Sequence, residues 1–414
     1  MENNLRVLIV APIYPYPPLD GHTVRNYNLF RNISDGYSFD FLAFGESGAD
    51  RHRERLLKQL GPCFQDIEIV PESTLKRVEI KKGISKIVNL FFPYKIGLGL
   101  PYYSEAMAEA VERRAATNKY DLIFFCGFHM FLYFPQKQYH LPHIVDIVDS
   151  VSLLMRSYFH EEQRIWRKIS CYLQYFWASR YETLHFATAR NMISVSPIDM
   201  NSIRGRVPRS KMWVVPNGVD TDCLKADEKV PVKENSLLFT GVMDYPPNNQ
   251  SAIYFVKEIL PLVRSKIPGI SLIIAGRNPT EELKDLVGED PRITLTGYVE
   301  EMKPFFSEAS LYVAPLVSGA GIKNKILEAW AMSKPVVATS MACNGLNAVH
   351  GRNVLIADTP ADFAEAVISL LRSPAEREKI AAEGRKTAEV SYSWREQSLI
   401  LDRIIREVIQ AEQK

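Results

Sequence analysis

The chain has 414 residues, more than one ordinary hydrophobic core serves, so two domains are expected. With 46% hydrophobic and 24% charged residues it reads as a folded protein and not a disordered one. A formal net charge of +2 supplies no global basic field, which argues against a nucleic-acid partner.

The first residues, MENNLRVLIVAPIYP, hold an apolar run too short for a secretion signal and lack a basic leader, so a cytoplasmic protein is expected. No apolar stretch approaches the ~20 residues of a membrane-spanning helix. Short apolar runs then recur, each closed by turn residues: 6–12, 39–45, 121–127, 143–149, 192–197 and 212–218, followed by 236–241, 271–276, 293–297, 311–315, 335–339 and 353–358. They show little polar alternation, as expected of parallel strands buried on both faces. Segments with helical spacing lie between them, for example 249–266 and 360–373. Strand and helix alternating over the whole length predict an α/β protein of two doubly wound Rossmann-like domains facing each other across a cleft. We place the first domain at 1–210 and the second at 211–394, with a turn at Pro216-Asn217-Gly218 near the seam.

Ligands of open parallel sheets bind beyond the carboxyl ends of strands, so the loops there carry the search for function. The first such loop ends at Gly21-His22, where glycine permits close approach of a ligand; the G-x-G-x-x-G dinucleotide pattern is absent. Segment 75–103 interleaves Lys and Arg with Ile, Leu, Phe and Tyr. It reads either as a surface for an anionic membrane or as an element packed on its own domain. His129 follows the run 121–127 and Asp149 ends the run 143–149, which puts both at the edge of the expected cleft. A histidine in such apolar company is also at home in a core.

In the second half, Ser318-Gly319-Ala320-Gly321 forms a loop and KNKILEAWAM reads as the following helix. Backbone N–H groups at a helix start attract phosphate, whereas Lys323 and Lys325 in that first turn are locally unfavourable without an anion. Glu328 stands one turn beyond Lys325, placed either to pair with it on the helix surface or to accept from two adjacent hydroxyls. The stretch therefore reads as a cradle for a phosphorylated ligand or as a loop with an exposed ion pair. Asp220-Thr221-Asp222 follows the Pro-Asn-Gly turn with no further clustered ligands, so turn chemistry explains it better than a metal. Five scattered cysteines and eight histidines show no metal-ligand spacing, and the cysteines fit a reducing compartment. No G-x-S-x-G elbow or phosphate-loop lysine pattern occurs.

The stretches VVPNGVDTD, LLFTGVMDYPPNNQSAIYF, LIIAGRNP, ITLTGYVEEM, YVAPLVSGAGIKNKILEAWAMSKPVVAT and SYSW, in that order from 214 to 394, resemble the GT-B-fold retaining glycosyltransferases of family four. More narrowly they resemble a bacterial branch associated with exopolysaccharide biosynthesis. The resemblance implies a sugar moved from a nucleotide-diphosphate sugar donor to a glycan or lipid-linked acceptor, with retained anomeric configuration and neither metal nor cofactor. Segment 75–103, read as a membrane surface, adds peripheral contact with the cytoplasmic face of the membrane to these expectations. Gly241 and the Gly319, Ala320, Gly321, Ile322, Lys323 loop would meet the diphosphate, with charge from Lys325 and Arg277. Glu328 would hold the ribose, the backbone of Tyr298 and Val299 the base, and Gly21-His22 would approach the phosphates. His129 and Asp149 would serve the sugar and the acceptor hydroxyl. Helix 395–414 would cross back onto the first domain.

Two departures stand out. Ala320 occupies the position of the family's usual second glutamate, and the loop VMDYPPNN lacks the family's basic pair. Lys323, Lys325 and Arg277 stand as substitutes. The rival readings are a catalytically silent nucleotide-sugar-binding subunit, and a sugar-nucleotide epimerase or phosphorylase of the same fold.

Overall fold

The computed structural model describes residues 4–18, 20–33, 36–46, 53–77, 102–117, 119–135, 140–162, 164–227, 229–288, 290–319 and 321–412. Two compact units emerge, Met1–Pro216 with Gln397–Lys414, and Asn217–Glu396.

In the first unit the strands are β1 (Leu5–Ala11), β2 (Tyr37–Gly45), β3 (Phe64–Pro71), β6 (Leu122–Cys126), β7 (His143–Val148), β8 (Asn191–Ser194) and β9 (Lys211–Val214). They form one seven-stranded sheet in the order β3-β2-β1-β6-β7-β8-β9, and every pairing is parallel. The short strands β4 (Lys76–Arg77) and β5 (Tyr102–Tyr103) pair antiparallel apart from it. Residues Val7 to Ala11 and Leu122 to Cys126 are wholly buried, as central parallel strands covered on both faces must be. Strand order reverses between β1 and β6, which opens a crevice beyond their carboxyl ends. The final helix, Trp394–Glu412, buries Leu401, Ile405 and Val408, and from Gln397 onward it belongs to this unit. Ser398 Oγ donates to the Leu29 carbonyl (2.7 Å), and Tyr37 Oη donates to Asp402 Oδ1 (2.6 Å).

In the second unit β10 (Ser236–Thr240), β11 (Ser271–Ala275), β12 (Ile293–Leu295), β13 (Leu311–Ala314), β14 (Val336–Ala338) and β15 (Leu355–Ile356) form a six-stranded sheet. Its order is β12-β11-β10-β13-β14-β15, again all parallel, with the reversal between β10 and β13. Each sheet thus offers one switch-point crevice.

Three expectations need correction. The division falls after Pro216, not after residue 210, because β9 pairs in register with β8 and so completes the first sheet. Strand β3 went unpredicted: its burial alternates, since it lies at the sheet edge, and a search for unbroken apolar runs passes over it. The helix expected over 249–266 is three pieces, Pro246–Tyr254, a π-turn at Phe255–Ile259 and Leu260–Lys266. Pro261 has no N–H and its ring crowds the preceding turn, so the helix widens there. Most of segment 75–103 lies outside the described residues.

One close approach fixes the carboxyl edge of the second sheet. Gly241 N–H donates to the Ala275 carbonyl (3.0 Å), and a Cβ on Gly276 would sit 1.8 Å from the Gly241 carbonyl oxygen. Gly276 also holds φ +144°, so a side chain there meets both strain and backbone. Gly276→Ala is expected to destabilise the second unit by at least about 3 kcal/mol, read as a shifted urea midpoint; an unchanged midpoint contradicts this packing.

Candidate functional site

The second unit builds its crevice from the loops after β10, β11 and β13. Gly319 (φ +112°) and Gly321 (φ +71°) take left-handed backbone, which lets the loop after β13 turn sharply into the helix Asn324–Ala331. A Cβ on Gly319 would lie 3.2 Å from Lys323 Nζ and 3.6 Å from Pro247 Cβ, so the Lys323 ammonium folds over the glycine. Ile322 is buried, and Ser318 Oγ donates to Gln250 Oε1 (3.2 Å), which together anchor the loop. Ala320 lies outside the described residues.

Lys323 occupies the N-cap of that helix with no side-chain cap hydrogen bond, so the positive end of the helix dipole faces the loop. Ile326, Leu327, Ala329, Trp330 and Ala331 are buried and fix the helix to the sheet. The Trp330 indole donates to the Asn353 carbonyl (2.8 Å), and a Cβ on Gly384 would come within 2.6 Å of Trp330 Cδ1. The helix is therefore seated by a fitted indole.

Lys325 is where the energetics concentrate. Its Nζ donates to Asn248 Oδ1 (2.6 Å) and stands 5.0 Å from the centroid of the Phe239 ring. Asn248 in turn donates to the Val242 carbonyl (2.9 Å) and presses on Gly241, where a Cβ would meet its Nδ2 at 2.7 Å. Burial first and the neighbouring Lys323 charge second push the Lys325 ammonium down to about 7, against the pull of Glu328. Burial raises the Glu328 carboxyl, and Lys325 opposes that shift. Of the alternatives open for this turn, the hydrogen bond that Lys325 makes is to Asn248, while Lys325 and Glu328, both partly buried, stay within electrostatic reach of each other. Beneath them Thr240 and Tyr312 share a hydrogen bond of 2.9 Å.

The other residues predicted for this unit lie at the same carboxyl edge. The Arg277 side chain is exposed, and its carbonyl accepts from Met243 N–H (2.9 Å). Gly297 bridges to Gly276, followed by Tyr298, 75% exposed, and the half-buried Val299. Asp220 Oδ1 accepts from the N–H groups of Asp222 and Cys223, which is turn chemistry.

The first unit gathers different chemistry at its own switch point. Asp20 caps the helix Gly21–Arg31 through a reciprocal bond pair with Thr23, which presents exposed Gly21 and half-buried His22 at the end of β1. Beyond β6, Gly127 holds φ +90°, and a Cβ there would lie 3.1 Å from His129 Cε1 and 3.4 Å from His22 Cε1. The two imidazoles therefore flank one glycine, and among the described residues the buried Nδ1 of each has no hydrogen-bond partner. Burial, then His22, hold the His129 imidazole down to about 4; burial also lowers His22, against the pull of Asp146. Burial thus disfavours the charged form of both imidazoles, and each ring keeps a buried polar atom.

Sequence reasoning missed the charges beneath these rings. Arg25 Nε donates to Asp146 Oδ2 (2.7 Å) with both side chains wholly buried, and Arg25 Nη1 donates to the Pro216 carbonyl (3.2 Å). The second Asp146 oxygen accepts from Val148 N–H (3.0 Å), where the backbone takes φ +58°. An aspartate inside the apolar run HIVDIV was the available signal, since a buried carboxylate demands a partner. Asp149 is exposed just past this strand.

The Lys325 shift carries a stability consequence whose sign is fixed. Its folded value near 7 lies below the ~10.4 of an unfolded lysine, so the unfolded chain holds the extra proton between those limits. Stability of the second unit is expected to rise from pH 7 towards pH 10 by on the order of 1–2 kcal/mol, and Lys325→Met to flatten that rise. Denaturation midpoints with equal slopes in both proteins contradict the assignment.

A family model described as "Glycosyl transferases group 1" matches residues 234–373. An uncharacterised 44.6 kDa protein in the cps region of Klebsiella pneumoniae is 28% identical over 161 residues, covering 37% of this chain and 42% of its own. The phosphatidyl-myo-inositol mannosyltransferase of Mycobacterium leprae is 28% identical over 200 residues, covering 46% and 52%. The chain therefore spans about half the length of the curated relatives it matches. Among solved structures, sucrose-phosphate synthase from Thermosynechococcus elongatus superposes with TM-score 0.70 at 16% identity, covering 98% of this chain and 100% of that one. The Anabaena protein HepE in complex with UDP gives TM-score 0.68 at 13% identity with the same coverage. The fold is that of the GT-B glycosyltransferases, two Rossmann-like α/β domains, and residues 234–373 carry the sequence pattern of glycosyl transferases group 1.

Proposed function

We propose that this chain is a glycosyltransferase that moves a sugar from a nucleoside-diphosphate sugar to a glycan or lipid-linked acceptor, retaining anomeric configuration and requiring no metal. The observation that carries the reading is the Gly319–Lys325 loop and helix start. Two lysine charges there disfavour one another beside an uncapped helix N-terminus, an arrangement that a bound diphosphate relieves. The match of residues 234–373 and the HepE complexes with UDP and with UDP-glucose support the same donor class.

In this reading the bond from the anomeric carbon to the diphosphate breaks and a bond to the acceptor oxygen forms. The acceptor's proton leaves on the diphosphate. Negative charge grows on the departing group, so Lys325, Lys323 and the loop amides lower the barrier by fixed electrostatics. Arg277 adds charge from its exposed position, the loop at Gly241 borders the phosphates, Glu328 accepts from the ribose hydroxyls, and Tyr298-Val299 border the base. Gly21-His22 approach the phosphates, His129 serves the donor sugar and Asp149 orients the acceptor hydroxyl.

Release of UDP from UDP-sugar only when an acceptor is present tests the transferase directly; release without one, or none with any acceptor extract, contradicts it. Lys325→Ala is expected to lower kcat by roughly 10²–10³-fold, as removal of an oxyanion donor does, and near-wild-type turnover removes the assignment. Glu328→Gln is expected to weaken UDP binding about tenfold, measured by calorimetry, because one charged hydrogen-bond acceptor for the ribose is lost. An anion restores the proton that burial and Lys323 drive off Lys325, so UDP binding at about pH 8 should take up a proton. Calorimetry in buffers of different ionisation enthalpy reads that uptake, which Lys325→Ala abolishes.

A further inference from the structure

The side chain of Asn248 does more than the packing of one helix start requires. It is the third residue of the helix Pro246–Tyr254, whose first turn is stiffened by Pro246 and Pro247. Its N–H donates to the Tyr245 carbonyl (3.0 Å), and the residue is nine-tenths buried. The amide is clamped on three sides. Nδ2 donates to the Val242 carbonyl (2.9 Å), Oδ1 accepts from Lys325 Nζ (2.6 Å), and a Cβ on Gly241 would meet Cγ at 2.8 Å. Both the donor and the acceptor end of the amide are therefore committed, which fixes the plane of the group.

What matters is the charge that this acceptor lacks. A carboxylate at 248 would also receive the ammonium, but it would cancel the charge it held and would set a second acceptor against the Val242 carbonyl. The acid in the loop after β10, Asp244, takes its hydrogen bond from Asn278 Nδ2 (2.9 Å). Among the described residues Lys323 and Glu328 are the charged groups that act on Lys325, and the Tyr312 phenol lies within reach of Glu328. Asn248 thus fixes where the ammonium stands and leaves its charge to be met by an incoming anion. A cation fixed in advance needs no reorganisation when charge develops on a leaving group.

We propose that Asn248 is a positioning residue, a neutral acceptor that aims the Lys325 ammonium at the donor diphosphate without cancelling its charge. This rests on the donor reading of the loop and names the residue through which that lysine is held. Two substitutions separate holding from cancelling. Asn248→Asp is expected to keep Lys325 protonated in the free protein, so the rise in urea midpoint from pH 7 to pH 10 should disappear. The same variant should bind UDP at about pH 8 at least about tenfold more weakly and without proton uptake. Asn248→Ala is expected to keep both the rise and the uptake, and to lose about tenfold in UDP affinity because the ammonium is no longer held. A residue that merely seated the helix would give equal losses in both variants with the pH signatures unchanged, and that pattern overturns the proposal. So does parent-like UDP affinity in Asn248→Ala, or a full pH rise in a folded Asn248→Asp. Should Asn248→Asp not fold, Asn248→Ser decides: its neutral hydroxyl can still accept from Lys325, so it should bind UDP more tightly than Asn248→Ala, and equal affinities overturn the proposal. The pH measurement needs no ligand, so its failure strikes Asn248 alone. A parent chain that binds neither UDP nor GDP strikes the donor reading and this proposal with it.

Discussion

The hydrogen bond from Lys325 Nζ to Asn248 Oδ1 is the contact on which the second unit's crevice depends. It joins the helix after β13 to the helix after β10, the two elements that flank the point where strand order reverses. Asn248 is held by the Val242 carbonyl and fits only because residue 241 lacks a side chain. Gly241 in turn lies against Gly276, which admits no Cβ either. A sequence of close backbone contacts thus sets an ammonium where burial and Lys323 both disfavour its charge. Such local disfavour is tolerable because the surrounding strands are wholly buried and supply far more than the site loses. Strain of this kind, concentrated where a ligand would bind, is the usual physical signature of a site.

The first unit solves a related problem with a different residue set. Its switch point buries a complete ion pair, Arg25 with Asp146, and sets two neutral imidazoles above it. A pair so enclosed contributes little net stability by itself, yet removing one partner leaves an uncompensated charge. Its role is geometric. Asp146 holds Val148 in left-handed backbone at the end of β7, and Arg25 holds the Pro216 carbonyl at the end of the unit. One unit therefore gathers lysines whose charge burial and proximity disfavour, and the other gathers imidazoles whose charge burial disfavours.

Much of this was legible in the sequence, for reasons specific to each element. Unbroken apolar runs revealed the central strands, because parallel strands with helices on both faces have no solvent side to mark. The same criterion passed over β3, whose edge position restores alternation, and it allotted β9 to the wrong domain, since a run of residues says nothing of which neighbour it pairs with. The loop at 319–325 could be read from glycines and lysines at a helix start, a local pattern with a local cause. Its direction was not local: sequence spacing allows Lys325 to meet Glu328, and only tertiary packing brings it to Asn248. His22 and His129 followed from their places after strands, but their meeting across Gly127 needed the fold. The exposed aromatic stripe of the helix Ile165–Phe186, with Trp166, Tyr172, Phe176 and Trp177, was illegible for a different reason. Aromatic residues at helical spacing normally denote a core face, and only the buried Glu182 on the opposite side reveals the reversal.

The seating of Trp330 in the space left by Gly384 has a bearing on how this chain tolerates change over generations. Gly384 belongs to the helix Pro374–Tyr392, a segment with no ligand chemistry of its own, yet it sets the height of the helix that bears Lys325 and Glu328. Drift at such a position is constrained by a function it does not perform. Compensation has to come as a pair, a larger residue at 384 with a smaller one at 330, and single changes are filtered out.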